Sequence, residues 1–227
     1  MSEWLRVRWV ADRVVAAALL VVTSPILAVL AVLIRRDDGA PAIIRLERIG
    51  RHGQRFPMFK LRTMRPGRGG LAITAGGADE RITPIGRRLR RARLDELPNL
   101  CNVVRGEMAL IGPRPEAPTY VDPSSPAWTV VLRARPGIVG LTQLLVADAE
   151  EELLGQGDAD AVYRDKLLPV KLASDAWYVR SATPAVDLWI VVGACARVLG
   201  LKPPARLHRL VADAVPESAE TRGVPCA

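Results

Sequence analysis

An acidic pair, Asp95-Glu96, interrupts the arginine-rich stretch RRLRRARLDELPNLCNVVRGEMALIGPRPE at residues 87–116. Leu97, Leu100, Val103 and Val104 recur at spacings of three, four and seven, which predicts one apolar face of a short helix. Pro98 is tolerated only in a first turn, so the helix should begin near Asp95, and Gly106 should stop it. The free N–H groups and dipole at such a start favour bound phosphate. Arginine binds phosphate oxygens in a planar, bidentate fashion. Successive helical residues point about 100° apart, so the two carboxylates can do different jobs. One could attack phosphorus. The other could hold a divalent cation such as Mg2+, which takes one or two carboxylates plus substrate phosphate oxygens. The plainer reading is an acid pair that caps and neutralises a basic helix, and charge pattern alone leaves the two readings level.

Three further basic positions are fixed by local sequence. In Gly112-Pro113-Arg114-Pro115 two prolines lock the backbone on either side of one arginine, lowering the ordering cost of gripping an anion. Arg135-Pro136-Gly137 repeats the device. In Phe59-Lys60-Leu61-Arg62-Thr63-Met64 polar and apolar residues alternate, so Lys60, Arg62 and Met64 can share one face of a strand. Rigid turns with exposed arginines and a basic edge strand would look the same.

Whatever positions these groups must be built from 227 residues, enough for one medium domain plus an attachment segment. The net charge of +8 suggests an anionic partner: nucleic acid, a membrane face or a phosphorylated substrate. Aromatics at 4% leave little stacking surface for single-stranded nucleic acid. The odd cysteine set, Cys101, Cys195 and Cys226, argues against a disulfide framework and for a reducing compartment. With only His52 and His208, zinc or histidine-triad chemistry has few candidates, which turns attention to carboxylates.

Val14 to Ile34 is a run of 21 residues without a charge. As a helix it would reach roughly 30 Å, the thickness of the bilayer hydrocarbon. It is longer than the apolar core of a signal peptide and meets Arg35-Arg36. A spanning helix and a hairpin that enters and leaves on one face both remain. Ser24 and Pro25 near its middle favour the hairpin, since Pro25 removes the backbone bond to Val21 and the hydroxyls of Thr23 and Ser24 can help satisfy the freed group. Arg6, Arg8, Arg13, Arg35 and Arg36 flank both ends, and such residues favour the cytoplasmic side.

Elsewhere, short strands are expected around Ile43-Ile44 and Phe56–Phe59, with a glycine-rich loop at 67–77 and a basic helix within 81–93. Residues 150–160 read as an exposed acidic insertion, 167–179 as an amphipathic helix, and 184–201 as an apolar helix broken by Asp187 and Arg197. The tail from Lys202 is polar and expected to be poorly ordered.

The chain resembles the bacterial sugar transferases, the monotopic phosphoglycosyl transferases. The motifs fall in the family's order from about Arg13 to Leu199: Ser24-Pro25, Glu47-Arg48-Ile49-Gly50, FKLRTM at 59–64, residues 81–115 with LDELPNL and GEMALIGPRP, RPGIVGLTQ at 135–143, and Asp175-Ala176-Trp177-Tyr178. The resemblance implies an α+β protein: a re-entrant N-terminal membrane helix hairpin (1–36), a small mixed helical and stranded cytoplasmic catalytic domain (37–201) sunk in the inner leaflet of the bacterial cytoplasmic membrane, and a polar tail (202–227). It implies transfer of a sugar-1-phosphate from a UDP-sugar to polyprenyl (undecaprenyl) phosphate through a covalent intermediate on Asp95, with Glu96 serving Mg2+. Arg90, Arg114 and Arg135 match basic positions near the phosphates, and Lys60 and Arg62 are further substrate-binding candidates. The sequence allows a homodimer. The segment after Gln143 lacks the Asn-Gly-Arg-type turn common in the family, so the sugar is open.

Three rivals stand beside this. A tethered nucleic-acid-binding protein would explain the charge, but no binding module is recognisable. A silent scaffold of the same fold would normally lose the acid pair. Other phospholipid head-group transferases usually cross the membrane several times.

Overall fold

The computed structural model describes residues 1–65, 81–154 and 158–212. The expected loop at 67–77 and the last part of the tail lie outside the described residues.

A short helix, α1 (Trp4–Val7), leads into α2 (Trp9–Asp38), one helical element that carries Pro25 in its interior and ends at Gly39 with φ 76°. Pro25 has no N–H for the Val21 carbonyl. Ser24 Oγ donates to that carbonyl at 2.7 Å, and Thr23 Oγ1 donates to Leu19 O at 2.7 Å. One stripe of α2 faces the rest of the protein. Ala16 and Leu20 pack with Phe56, Met58, Leu100 and Val103, while Leu27, Leu30 and Ile34 pack with Ala42, Leu61 and Leu89. Spacings of three and four keep these positions on one helical face. On the other faces Val14, Val21, Val22, Ile26, Val29 and Val32 are exposed. A helix that is apolar all round but covered on one side needs an apolar solvent on the other. Among the described residues α2 is the one helix long and apolar enough to cross a membrane.

Antiparallel strands β1 (Ile43–Ile49) and β2 (Arg55–Leu61) pair from Ile43↔Leu61 to Ile49↔Arg55. The tight connection between them holds His52 at φ 59° and Gly53 at φ 74°. Strand β2 ends at Leu61, so Arg62 and Met64 do not continue its face as the alternation predicted. Helix α3 (Pro84–Arg91) starts at Thr83, whose hydroxyl accepts from Gly86 N, with proline in the first turn. Next come a single 3-10 turn (Leu94–Glu96) and α4 (Asn99–Arg105), closed by Gly106 at φ 81°. The predicted single helix from Asp95 is thus two pieces. Pro98 caps the second, and the acid pair sits in the tighter turn before it.

Beyond α4, β3 (Ala109–Ile111) pairs in parallel with β4 (Gly137–Val139), with α5 (Pro126–Val131) in the crossover. Backbones approach closely here: a Cβ on Gly137 would lie 2.0 Å from Gly112 N. Helices α6 (Leu141–Leu145), α7 (Ala147–Leu154), α8 (Ala159–Val162), α9 (Leu168–Ser181) and α10 (Pro184–Val198) follow, a π-helical turn joining α8 to α9. The described parts of the acidic segment are anchored in the core, though Glu152 and Asp158 are exposed. Leu154 and Ala159 are buried with Val146, Tyr163, Leu167 and Val170. Helix α11 (Ala205–Ala212) likewise orders the start of the tail, placing Leu207 against Leu141, Leu144 and Ile190.

Asp187, which breaks the apolar run of α10, is explained by its partners. Arg8 donates to it in a buried ion pair, Tyr178 Oη donates at 2.7 Å and Trp4 Nε1 at 2.6 Å. Arg8 also donates to the Ile111 carbonyl. A carboxylate and a guanidinium out of water persist only when paired and hydrogen-bonded in this way. The cluster ties the start of the apolar helix to α10 and β3.

Candidate active site

The acid pair is buried, with Asp95 and Glu96 each 5% exposed. What places a lysine against it is an asparagine in α4. Asn102, wholly buried, accepts from Phe59 N at 3.1 Å and donates to Pro57 O at 2.7 Å, clasping β2 to the helix. Lys60, the next residue along β2, then reaches both acids: Nζ is 2.8 Å from Glu96 Oε1 and 3.5 Å from Asp95 Oδ2. From the other side Arg114 Nη2 reaches the same Glu96 oxygen at 3.1 Å. The turn carrying Arg114 is held by the glycine contact between Gly112 and Gly137, which lets Gly137 N donate to Pro113 O at 2.8 Å.

The electrostatics divide the two acids. Burial alone would push the Glu96 carboxyl up, but Lys60, Arg114 and then Arg93 outweigh it and hold Glu96 well below the usual carboxylate range. Burial likewise opposes the charge on Arg114, and Glu96, Glu150 and Glu116 more than restore it. Asp95 has one cation at 3.5 Å and, among the described residues, no hydrogen-bond donor on its carboxylate. Arg93, just before the turn, takes a left-handed φ of 56°, uncommon for a residue other than glycine.

Behind Arg114 lies a second buried polar layer. Tyr163 Oη donates to Glu116 Oε1 at 2.5 Å, and Lys171 Nζ donates to Glu150 at 2.9 Å and to Tyr163 at 3.2 Å. Asp175 accepts from the Thr142 hydroxyl. Burial pushes its carboxyl up to about 7 against that bond, and the Arg114 main-chain N–H pulls weakly the other way. Arg48 sits beside this layer, its Nε buried without a partner. Burial lowers its pKa, Glu116 opposing and Arg114 adding to the shift.

Of the candidates, Lys60, Arg114, Asp95 and Glu96 come together. Arg62 is buried and donates to the Ile34 carbonyl of α2 at 3.4 Å, and Arg90 Nε donates to Thr63 Oγ1 at 2.9 Å. Arg135 Nε donates to Gly106 O at 2.9 Å, just past the far end of α4 from the acid pair. Asn102 and the roles of Asp187, Arg48 and Asp175 were missed. An aspartate inside an apolar helix was the one readable signal, since it demands a partner.

For a magnesium ion the donor set fits a particular mode of binding. Among the described residues no three His, Cys, Asp or Glu side chains gather, so there is no all-protein cage. Glu96, with Asp95 beside it, would supply the one or two carboxylates that such an ion takes, substrate phosphates and water completing it.

The site thus sets a loosely held carboxylate beside a clamped one, with Lys60 and Arg114 on either side of the clamped acid and a long apolar helix packed nearby. The chain belongs to the bacterial sugar transferase family, whose model matches residues 3–200. It is 36% identical over 187 residues to the UDP-glucose:undecaprenyl-phosphate glucose-1-phosphate transferase of Caulobacter vibrioides, covering 81% of this chain and 66% of that one. It is 32% identical to the undecaprenyl-phosphate galactose phosphotransferase of Salmonella typhimurium, covering 79% and 38%. Against the exopolysaccharide production protein ExoY of Rhizobium meliloti the identity is 31%, covering 79% and 80%.

Proposed function

We propose that the protein transfers a sugar-1-phosphate from a UDP-sugar to undecaprenyl or a related polyprenyl phosphate, initiating a surface glycan or exopolysaccharide. An Asp95 oxygen attacks the sugar-proximal phosphorus. The bond from that phosphorus to the bridging oxygen breaks, UMP leaves with the electron pair, and the sugar phosphate stays on the carboxylate as an acyl phosphate. A phosphate oxygen of the polyprenyl phosphate then attacks the same phosphorus. Asp95 departs as the carboxylate, and the product is polyprenyl diphosphate-sugar. A covalent intermediate divides one hard exchange into two easier ones.

The observation that carries this reading is the asymmetry of the pair. Glu96 is fixed as an anion by Lys60 and Arg114, while Asp95 beside it keeps its lone pairs. Lys60 also offsets repulsion between Asp95 and the incoming diphosphate. Arg114, on the far side of Glu96 from Lys60, would take the diphosphate oxygens. Mg2+ held by Glu96 would neutralise part of the phosphate charge.

We read α2 as re-entrant, both ends on the cytoplasmic face and the catalytic domain resting on the inner leaflet. Two features support this: both halves of α2 pack on one body, and arginines flank each end.

The test is UMP release in detergent with Mg2+ and polyprenyl phosphate, offering UDP-sugars one at a time. UMP from one donor with wild type and none with Asp95→Asn is expected. Equal release from both proteins would remove Asp95 as nucleophile.

A further inference from the structure

A second cationic site lies at the opposite end of α4 from the acid pair. A cavity of about 270 Å³ opens between the start of α2 and residues 133–135, with Arg6, Trp9, Arg51, Arg133 and Arg135 in its lining. Helix α4 separates it from Asp95 by a length of roughly 10 Å, from seven residues at 1.5 Å each.

Its arginines are held in a particular way. Arg135 Nε donates to Gly106 O, Arg51 Nε to Arg133 O and the neighbouring Arg13 Nε to Val104 O, each at 2.9 Å. Two of these carbonyls belong to the C-terminal end of α4, where cations are favoured. Each bond uses the inner nitrogen and leaves both Nη groups of the fork to project. Trp9 lies between two of them, its ring 5.1 Å from the Arg135 guanidinium and 5.5 Å from that of Arg13. Among the described residues, none of Arg6, Arg13, Arg51, Arg133 and Arg135 has a carboxylate partner. The one nearby acid on the lining, Asp12, pairs with Arg8 at 3.5 Å. Arg135 is pushed below its usual pKa first by partial burial and then by Arg51 and Arg13. Asp12 opposes the shift on Arg135, but it is one carboxylate already paired with Arg8, so five arginines fixed near one another leave charge for an anion from outside.

The surroundings say where that anion comes from. Val7, Val10 and Val14 beside the cavity are exposed, at the point where the apolar helix begins. Tryptophan with arginine at such a boundary marks the level of lipid head groups. An acceptor phosphate must reach Asp95, and one held here would be a helix length away.

We infer that this arginine cavity binds the phosphate of an anionic bilayer phospholipid, fixing the start of α2 at the head-group level. The inference needs α2 to meet lipid but does not rest on the chemistry assigned to Asp95.

The experiment uses the full chain in a nonionic detergent and equilibrium binding of radiolabelled dihexanoyl phosphatidylglycerol. The probing variant is Arg6→Glu/Arg133→Glu, whose exposed side chains make no hydrogen bond that the fold would lose. Wild type and Asp95→Asn should bind one lipid saturably and alike. The double variant should bind about tenfold or more weakly, since it reverses two of the charges that would attract the lipid phosphate. Dihexanoyl phosphatidylcholine should compete poorly. Undiminished binding by a folded double variant, or equal competition by the zwitterionic lipid, would overturn the inference. So would a raised KM for polyprenyl phosphate with phosphatidylglycerol binding unchanged, which would give the cavity to the acceptor.

Discussion

Lys60 Nζ stands 2.8 Å from Glu96 Oε1 but 3.5 Å from Asp95 Oδ2, so one lysine grips one acid and only steadies the other. Replacing Asp95 by asparagine keeps the shape of the turn and removes the attacking charge. Turnover of Asp95→Asn, followed as UMP release, should fall by roughly three orders of magnitude or more, with little change in melting temperature.

Glu96→Gln should act on stability as well as rate. It leaves Lys60 and Arg114 facing each other without their shared anion. Breaking a buried pair costs about 3–5 kcal/mol, and partial exposure of both cations reduces this to about 2. The sign with pH follows from the lowered pKa of Glu96. Its contribution is complete above the ordinary carboxylate range and is lost as pH falls through and below it. The gap in urea midpoint between wild type and variant should therefore stay constant from pH 7 to about pH 5 and narrow, without closing, as pH falls to 3.

Asp175 gives the opposite slope. Its carboxyl is pushed up to about 7, so between about pH 4 and 7 the folded chain holds a proton that the unfolded chain releases. Stability should decline over that interval by on the order of 4 kcal/mol and then level off. Asp175→Asn should remove the decline. The same denaturation series from pH 4 to 8 measures it, and a decline of unchanged size in the variant would assign it to another group.

Ser24 Oγ answers the Val21 carbonyl that Pro25 leaves open, and the hairpin reading depends on that junction. Ser24→Ala should destabilise the membrane-inserted protein by about 1 kcal/mol, a typical value for a polar contact in lipid. Cysteines placed at Arg6 and Arg36 should react with an impermeant reagent from the same face of sealed vesicles. Labelling from opposite faces would make α2 a spanning helix.

Where sequence was legible, the reason is local. The two short strands, the basic helix within 81–93 and the stop at Gly106 rest on turn, cap and periodicity rules that act over a few residues. The acid pair and Arg114 could be singled out because charge next to proline is visible in one dimension. What was hidden depends on partners far along the chain. Asn102 looks like any helical asparagine until β2 lies against it. Arg62 alternates correctly with Lys60, yet the strand ends one residue too soon for that to matter. The acids of 150–160 point to an exposed segment, whereas among its described residues Leu154 and Ala159 are buried by partners far along the chain.

The stripe on α2 bears on how such a protein can be handled and how it could have evolved. Ala16 and Ile34 are 0% and 2% exposed because they complete the packing around Phe56, Met58, Leu61 and Leu89. Cutting the chain after residue 38 would not free a soluble enzyme. It would strip one wall from the core and uncover those four side chains to water. The anchor and the catalytic body are a single folding unit, so a lineage could not exchange this helix for another membrane tether without rebuilding the interior beneath it.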